Sequence, residues 1–229
     1  MYKVFIGVGH GGIDSGAVGI LVEKTVNLVE ALACRDLLES YGIQVLMSRT
    51  DDSNDPLKDE IKECNAFNPD LAVDIHNNAG GGDGFEAFYH YKGGKGKDLA
   101  LNIEEEVKAI GQNSRGCKTC LNSSGTDYFG FIREINCPSI ILEGCFVDNQ
   151  KDAEIASTLE KQKSFGYAYA RGILKTLGIN LNDNISPPEN SSLNTNLYKV
   201  QIGAYSKKEN AQAQLEKAKS AGFSDAFII

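Results

Sequence analysis

The chain is short of positive charge: 23 Lys and Arg stand against 31 Asp and Glu, for a net charge of −8. Nucleic-acid binders carry a basic footprint, so this balance argues against that class. Long apolar runs are missing too. No stretch reaches the length of a bilayer crossing, and MYKVFIGVGH enters a strand pattern with no apolar segment behind basic residues. The expectation is a chain with no membrane partner, synthesised in the cytoplasm without a signal peptide. An outside substrate is then reached only after something else opens the membrane. Proline is sparse, 5 against 24 Gly, which points to tight loops and not to a Pro-rich disordered chain. Cys34, Cys64, Cys117, Cys120, Cys137 and Cys145 in a leaderless chain read as thiols, not as a disulfide framework. Cys117 and Cys120 have CxxC spacing, but a structural zinc site needs a second ligand pair and none lies nearby, so they read as loop thiols.

What is present alternates in period. Tyr2 to Val8 is a short apolar run with β-branched and aromatic residues, a buried strand. Val22, Val26, Val29, Ala33 and Leu37 then recur every three or four residues, which predicts an amphipathic helix ending near Tyr41-Gly42. Strands follow at Ile43 to Ser48, Leu71 to Ile75, Phe85 to Tyr91 and Ser139 to Leu142. Helices are expected at Leu57 to Phe67, Lys97 to Ile110 and Gln150 to Leu177. This alternation predicts an α/β domain over residues 1–177, a largely parallel twisted sheet with helices on both faces. Residues 178–197 turn to Asn, Ser and Pro and read as a linker. Residues 198–229 read strand, helix, strand, a small βαβ unit.

In α/β sheets ligands gather at the carboxyl ends of the strands. Three apolar strands here run into His10, His76 and Glu143, and Glu23 opens the helix after the His10 loop. Two His and one carboxylate form a catalytic zinc set, and a further Glu is left to move a proton. Zinc acidifies water to a pKa of about 7. The third His, His90, lies in an aromatic strand and reads as a packing or surface residue. Gly7-Val-Gly9-His-Gly11-Gly12 formally matches the dinucleotide fingerprint, but Asp14, Gly16 and Gly19 prolong the loop where that motif opens a helix. No GxSxG is present.

GHGGIDSGAVG, VEKTVNL, LAVDIHNNA and PSIILEGCFVDN, in that order, resemble the zinc-dependent N-acetylmuramoyl-L-alanine amidases of the third amidase class. The resemblance covers about Lys3 to Leu177. It implies Zn2+ as cofactor, His10, Glu23 and His76 as its ligands, and Glu143 as the catalytic carboxylate. The implied reaction is hydrolysis of the amide between N-acetylmuramic acid and L-alanine in peptidoglycan. Arg49 and Asn65 match structural positions near the site. In the family's L-x-x-R-x-x-x-x-N pattern this chain has Leu57, Glu60 and Asn65, and Glu60 reverses the charge of the Arg. Asn77-Asn78 and Cys145 are milder departures.

YKVQIGAYSKKENA and AGFSDAFII are similar to half of a sporulation-related (SPOR) peptidoglycan-binding repeat. A lone two-stranded unit leaves an open edge, so two tails are expected to pair in a homodimer or a second repeat to be missing. The biology implied is a phage endolysin released by a holin, or a bacterial autolysin acting once the membrane fails. The competing reading is a catalytically inactive peptidoglycan-binding protein that keeps the amidase fold.

Overall fold

The computed structural model describes residues 1–181 and 208–220. Its elements run β1 (Lys3–Val8), α1 (Glu23–Ser40), β2 (Gln44–Met47), α2 (Leu57–Phe67), β3 (Leu71–Asn78), β4 (Phe85–Tyr89) and α3 (Lys95–Ala109). Then come β5 (Ser114–Lys118), α4 (Gly130–Glu134), β6 (Ser139–Phe146), α5 (Gln150–Ile155), α6 (Leu159–Thr176) and α7 (Lys208–Ser220). The six strands form one sheet in the order β2-β1-β3-β6-β4-β5. The first four are parallel neighbours; β4 lies antiparallel to β6, and β5 runs parallel to β4. The α/β sheet expected from the alternation is therefore present, with one pair reversed.

Helices cover both faces because the strands alternate apolar residues to each side. Val4, Ile6 and Val8 join Leu71, Val73 and Ile75 in a core with Leu38, Ile103, Phe165 and Ile173 of α1, α3 and α6. Phe5, Ala72 and Ile141 face the other way, into a smaller core with Cys64 of α2 and Phe131 and Ile132 of α4. By the same period of two, Asp74 and His76 fall on this second face, as does Glu143, two residues beyond Ile141.

Several expectations are corrected. The apolar runs do not stop at His76 and Glu143: β3 continues to Asn78 and β6 to Phe146, so both residues sit inside paired strands. The strand β5 is absent from the sequence reading because SRGCK has no apolar alternation; pairing to β4 makes it a strand. Gln150 to Leu177 is two helices, the second begun by Thr158, whose hydroxyl accepts from the Lys161 N–H at 3.3 Å. The five-residue α4 carries too little periodicity to be read. The strands expected on either side of α7 lie outside the described residues. The chain divides into two compact units, Met1–Pro187 and Pro188–Ile229. Among the described residues no helix is long and apolar enough to cross a membrane.

The helix α6 is wedged between α1 and α3 at two glycines. A Cβ at Gly166 would lie 2.1 Å from the Glu30 carbonyl oxygen, and one at Gly172 would lie 2.6 Å from Ile103 Cα. Backbone cannot yield as a side-chain tip can. Gly166→Ala is expected to destabilise the domain by about 1–3 kcal/mol, read as a lower midpoint in urea with an unchanged slope.

Candidate metal centre

Three donors converge where β1, α1 and β3 meet. His10 follows β1 in a left-handed conformation (φ 62°), uncommon for a residue with a Cβ. Glu23 opens α1 and His76 comes from β3. Glu23 Oε1 lies 3.2 Å from His10 Nε2 and 3.0 Å from His76 Nδ1, and one ligand atom from each of the three falls within 4.8 Å of the others. The imidazoles stand edge to face, centroids 5.0 Å apart. Two glycines make room: a Cβ at Gly9 would strike the His76 ring at 2.1 Å, and one at Gly16 would strike His10 and Glu23.

Two imidazole nitrogens and one carboxylate oxygen in one small space are the donor set of a catalytic zinc site with an open position. The far side of each ring is held as such ligands require. His10 Nδ1 is 2.9 Å from Asp14 Oδ2, and His76 Nε2 is 3.3 Å from Asp74 Oδ2. A carboxylate behind each ring fixes its tautomer and raises its basicity toward a metal. The second oxygen of Glu23 accepts the Ala17 N–H at 2.8 Å. The donor set therefore fits zinc.

The charges agree. Burial pushes the Glu23 carboxyl up, but hydrogen bonds from His10 and His76 outweigh it and hold it below the usual carboxylate range. The hydrogen bond to Glu23 raises His10; for His76, burial opposes the charge and Asp74 and Glu23 overcome it. Glu143 is paired in register with His76 across β3 and β6. It differs from Glu23: burial lifts its carboxyl to about 7, against the pull of His76 and aided by Glu23, Asp74 and Glu86. Two neighbouring carboxyls pushed apart in this way suit a ligand and a proton carrier respectively. A cavity of about 310 Å³ lies beside the ligands, walled by His10, His76, Asp14, Asp55, Glu60 and Asp74.

A family profile described as N-acetylmuramoyl-L-alanine amidase matches residues 4–175, and a SPOR domain profile matches residues 170–229. The chain belongs to the N-acetylmuramoyl-L-alanine amidase family. It is thereby a hydrolase of the amide between N-acetylmuramic acid and L-alanine in peptidoglycan, with a SPOR domain behind the catalytic part. It is similar to the N-acetylmuramoyl-L-alanine amidase CwlM of Bacillus licheniformis, 36% identical over 100% of this chain and 85% of that one. A sporulation-specific N-acetylmuramoyl-L-alanine amidase of Bacillus subtilis is 34% identical with the same coverage. Among solved structures, the catalytic domain of the amidase CwlV from Bacillus (Paenibacillus) polymyxa var. colistinus superposes with a TM-score of 0.70 at 30% identity, over 79% of this chain and all of that one.

Within this amidase, His10, Glu23, His76 and Glu143 are brought together. His90 stands outside the group, 3.1 Å from Asp127. Arg49 is buried and donates to the carbonyls of Val8, Gly9 and Lys24, tying the His10 loop to α1. Asn65 binds the loop before β6 through Glu134 O and Asn136 N. Cys117 is in β5, its thiol pushed up to about 12 by burial and by Glu104.

The sequence reading missed Asp14, Asp74, Asn27 and Asn77. Asn27, one helical turn after Glu23, donates to the Gly9 carbonyl at 2.9 Å. The Asn77 N–H donates to Glu23 Oε1 at 3.2 Å, and its side chain joins Asn27 to Cys145 N. The spacing Asp74-x-His76, two positions apart and so on one strand face, was the available signal. Asp74→Asn is expected to lower zinc affinity about 10–100-fold by competition with a chelator, with the fold intact.

The structure also accounts for Glu60. A Cβ at Gly7 would lie 1.9 Å from Glu60 Oε1 and 2.7 Å from Asp74 Oδ1, so these two buried carboxyls share the space that the glycine leaves. Burial and the charges of Asp74 and Asp55 push Glu60 well above the usual carboxylate range.

Proposed function

We propose that the chain is a zinc enzyme in which His10, Glu23 and His76 hold the metal and Glu143 is the catalytic acid–base. The observation that carries this is the convergence of three donors within 4.8 Å with Glu143 one strand away in register. Zinc, when bound, polarises the scissile carbonyl and acidifies water. Asp14 and Asp74 keep the two imidazoles aimed. Glu143, buried enough to exchange a proton near neutrality, takes one from the attacking water and delivers it to the alanine nitrogen as the amide bond breaks. The loop from Gly11 to Leu21, with Ile13 and Val18 exposed, forms a rim for the glycan.

In this reading residues 1–177 are the catalytic domain, 178–197 a linker and 198–229 a peptidoglycan-binding half-repeat that pairs with a second copy. The likeness to a sporulation-specific relative supports work as a bacterial autolysin. A digest of purified muropeptides followed by mass spectrometry tests the reaction: free lactyl-ended glycan and peptides beginning at L-alanine are expected, in proportion to bound zinc. Zinc-loaded protein that binds wall and releases neither would return the inactive binding protein.

A further inference from the structure

Beyond Glu143 the sheet carries a charged cluster that the mechanism does not use. Glu86 on β4 is the direct antiparallel partner of Glu143, so their side chains lie on the same face. Glu86 is 5% exposed, yet two cations from β5 meet it: Lys118 Nζ at 2.8 Å, and the Arg115 Nε–H on the same oxygen. Arg115 is there because of a bulge. Phe85 pairs with Ser114 and Glu86 with Gly116, which leaves Arg115 as the extra residue, and Gly116 takes the positive φ (92°) that such a kink needs. Bulges re-aim side chains beside active sites. A second bulge, between His76–Glu143 and Asn78–Phe146, brings Phe146 into register with Asn78 on the side of His76, and the Arg115 guanidinium lies over its ring at 5.3 Å.

Holding Glu86 in place needs one cation, and two are supplied. Arg115 and Lys118 keep 42% and 39% of their side chains exposed, and among the described residues Arg115 Nη1 and Nη2 make no hydrogen bond. The direction of the substrate says what meets them. The scissile carbonyl must sit at His10, Glu23 and His76, and the leaving nitrogen at Glu143. The line from carbon to nitrogen therefore runs from β3 to β6 and onward over β4 to β5. Strands are spaced about 4.8 Å apart and an extended peptide advances about 3.5 Å per residue, so the second residue of the leaving peptide arrives over this cluster.

We propose that Arg115 and Lys118 form a subsite for the leaving peptide that prefers a free carboxylate over a neutral group at its second residue. The proposal rests on the amidase reading of the metal centre. The free guanidinium edge offers a carboxylate two parallel N–H donors, and Lys118 adds a third. Glu86 is the positioning residue that holds both cations on the bulge.

The test uses the full chain with zinc and two soluble muramoyl peptides that differ only in that carboxyl, free or amidated. The wild type is expected to cleave the free acid about tenfold to hundredfold better in kcat/KM, mostly through KM. Arg115→Met and Lys118→Met should lower the free-acid rate toward that of the amide and leave the amidated peptide within about twofold. Arg115→Lys should retain part of the preference. Equal cleavage of both peptides by the wild type overturns the subsite and leaves the amidase reading standing, a comparison that needs no variant to fold. Equal losses on both peptides in the variants overturn it as well, in favour of a purely structural clamp on Glu86. A wild type that cleaves neither peptide overturns the amidase reading, and the subsite with it.

Discussion

Glu143→Gln is expected to lower kcat about 10²–10⁴-fold while zinc binds with unchanged stoichiometry. The amide has the shape of the carboxyl and adds no buried charge, so β6 and its pairing with His76 should persist. What is lost, on the proposed mechanism, is the carboxyl in register with His76 that accepts the water's proton and surrenders it to the leaving amine. The pH profile carries the same signature. Burial lifts the Glu143 carboxyl to about 7, so the basic form that begins the reaction fills in as pH rises toward neutrality. A divalent cation on the neighbouring ligands pulls that value down. The acid limb of kcat/KM in the wild type should therefore fall at or below pH 7, and Glu143→Gln should lose it. In metal-free protein, folded Glu143 binds more protons than unfolded Glu143 between pH 4.5 and about 7. Its contribution to stability accordingly declines as pH rises through that window. Activity within tenfold of wild type in Glu143→Gln would remove Glu143 from the mechanism.

Removing the metal should have the other large effect. A chelator is expected to abolish hydrolysis and zinc to restore it. With His10 from the loop after β1, Glu23 from α1 and His76 from β3, a bound metal would tie together segments that are separate in the unfolded chain. At a thousandfold excess over the dissociation constant, zinc adds about 4 kcal/mol to stability. At about 2–4 °C per kcal/mol for a domain of this size, the thermal midpoint should rise by about 8–16 °C. His76→Ala should erase both the shift and the activity, since it removes one of two neutral donors and leaves Glu23 Oε1 with a single imidazole neighbour. A zinc-dependent shift that survives in His76→Ala would show that the stabilising ion sits elsewhere.

Much of this was legible along the chain because the signals are local. The periods of two and of three to four residues set β1, α1, α2 and β3, and the glycine-flanked His10 and the opening Glu23 mark one loop. Asn65 and Arg49 are marked as structural by the family resemblance alone, and the structure shows them holding loops. The strand β5 and the bulge at Arg115 had no such signal. SRGCK becomes a strand only by borrowing the hydrogen bonds of β4, and the bulge exists only relative to that partner. The reversed direction of β4 against β6 is also decided by pairing, and it is what sets Glu86 beside Glu143.

By itself, then, the sequence determined the α/β class and which His and Glu residues stand ready at the sheet edge. Side-chain type and spacing suffice for that. Only the tertiary structure decided what stands behind and beside them: Asp14 and Asp74 behind the rings, Asn77 on Glu23, and Arg115 and Lys118 on Glu86. Most of these contacts join residues far apart in the chain, and strand register, which no local pattern encodes, brings them within hydrogen-bonding distance.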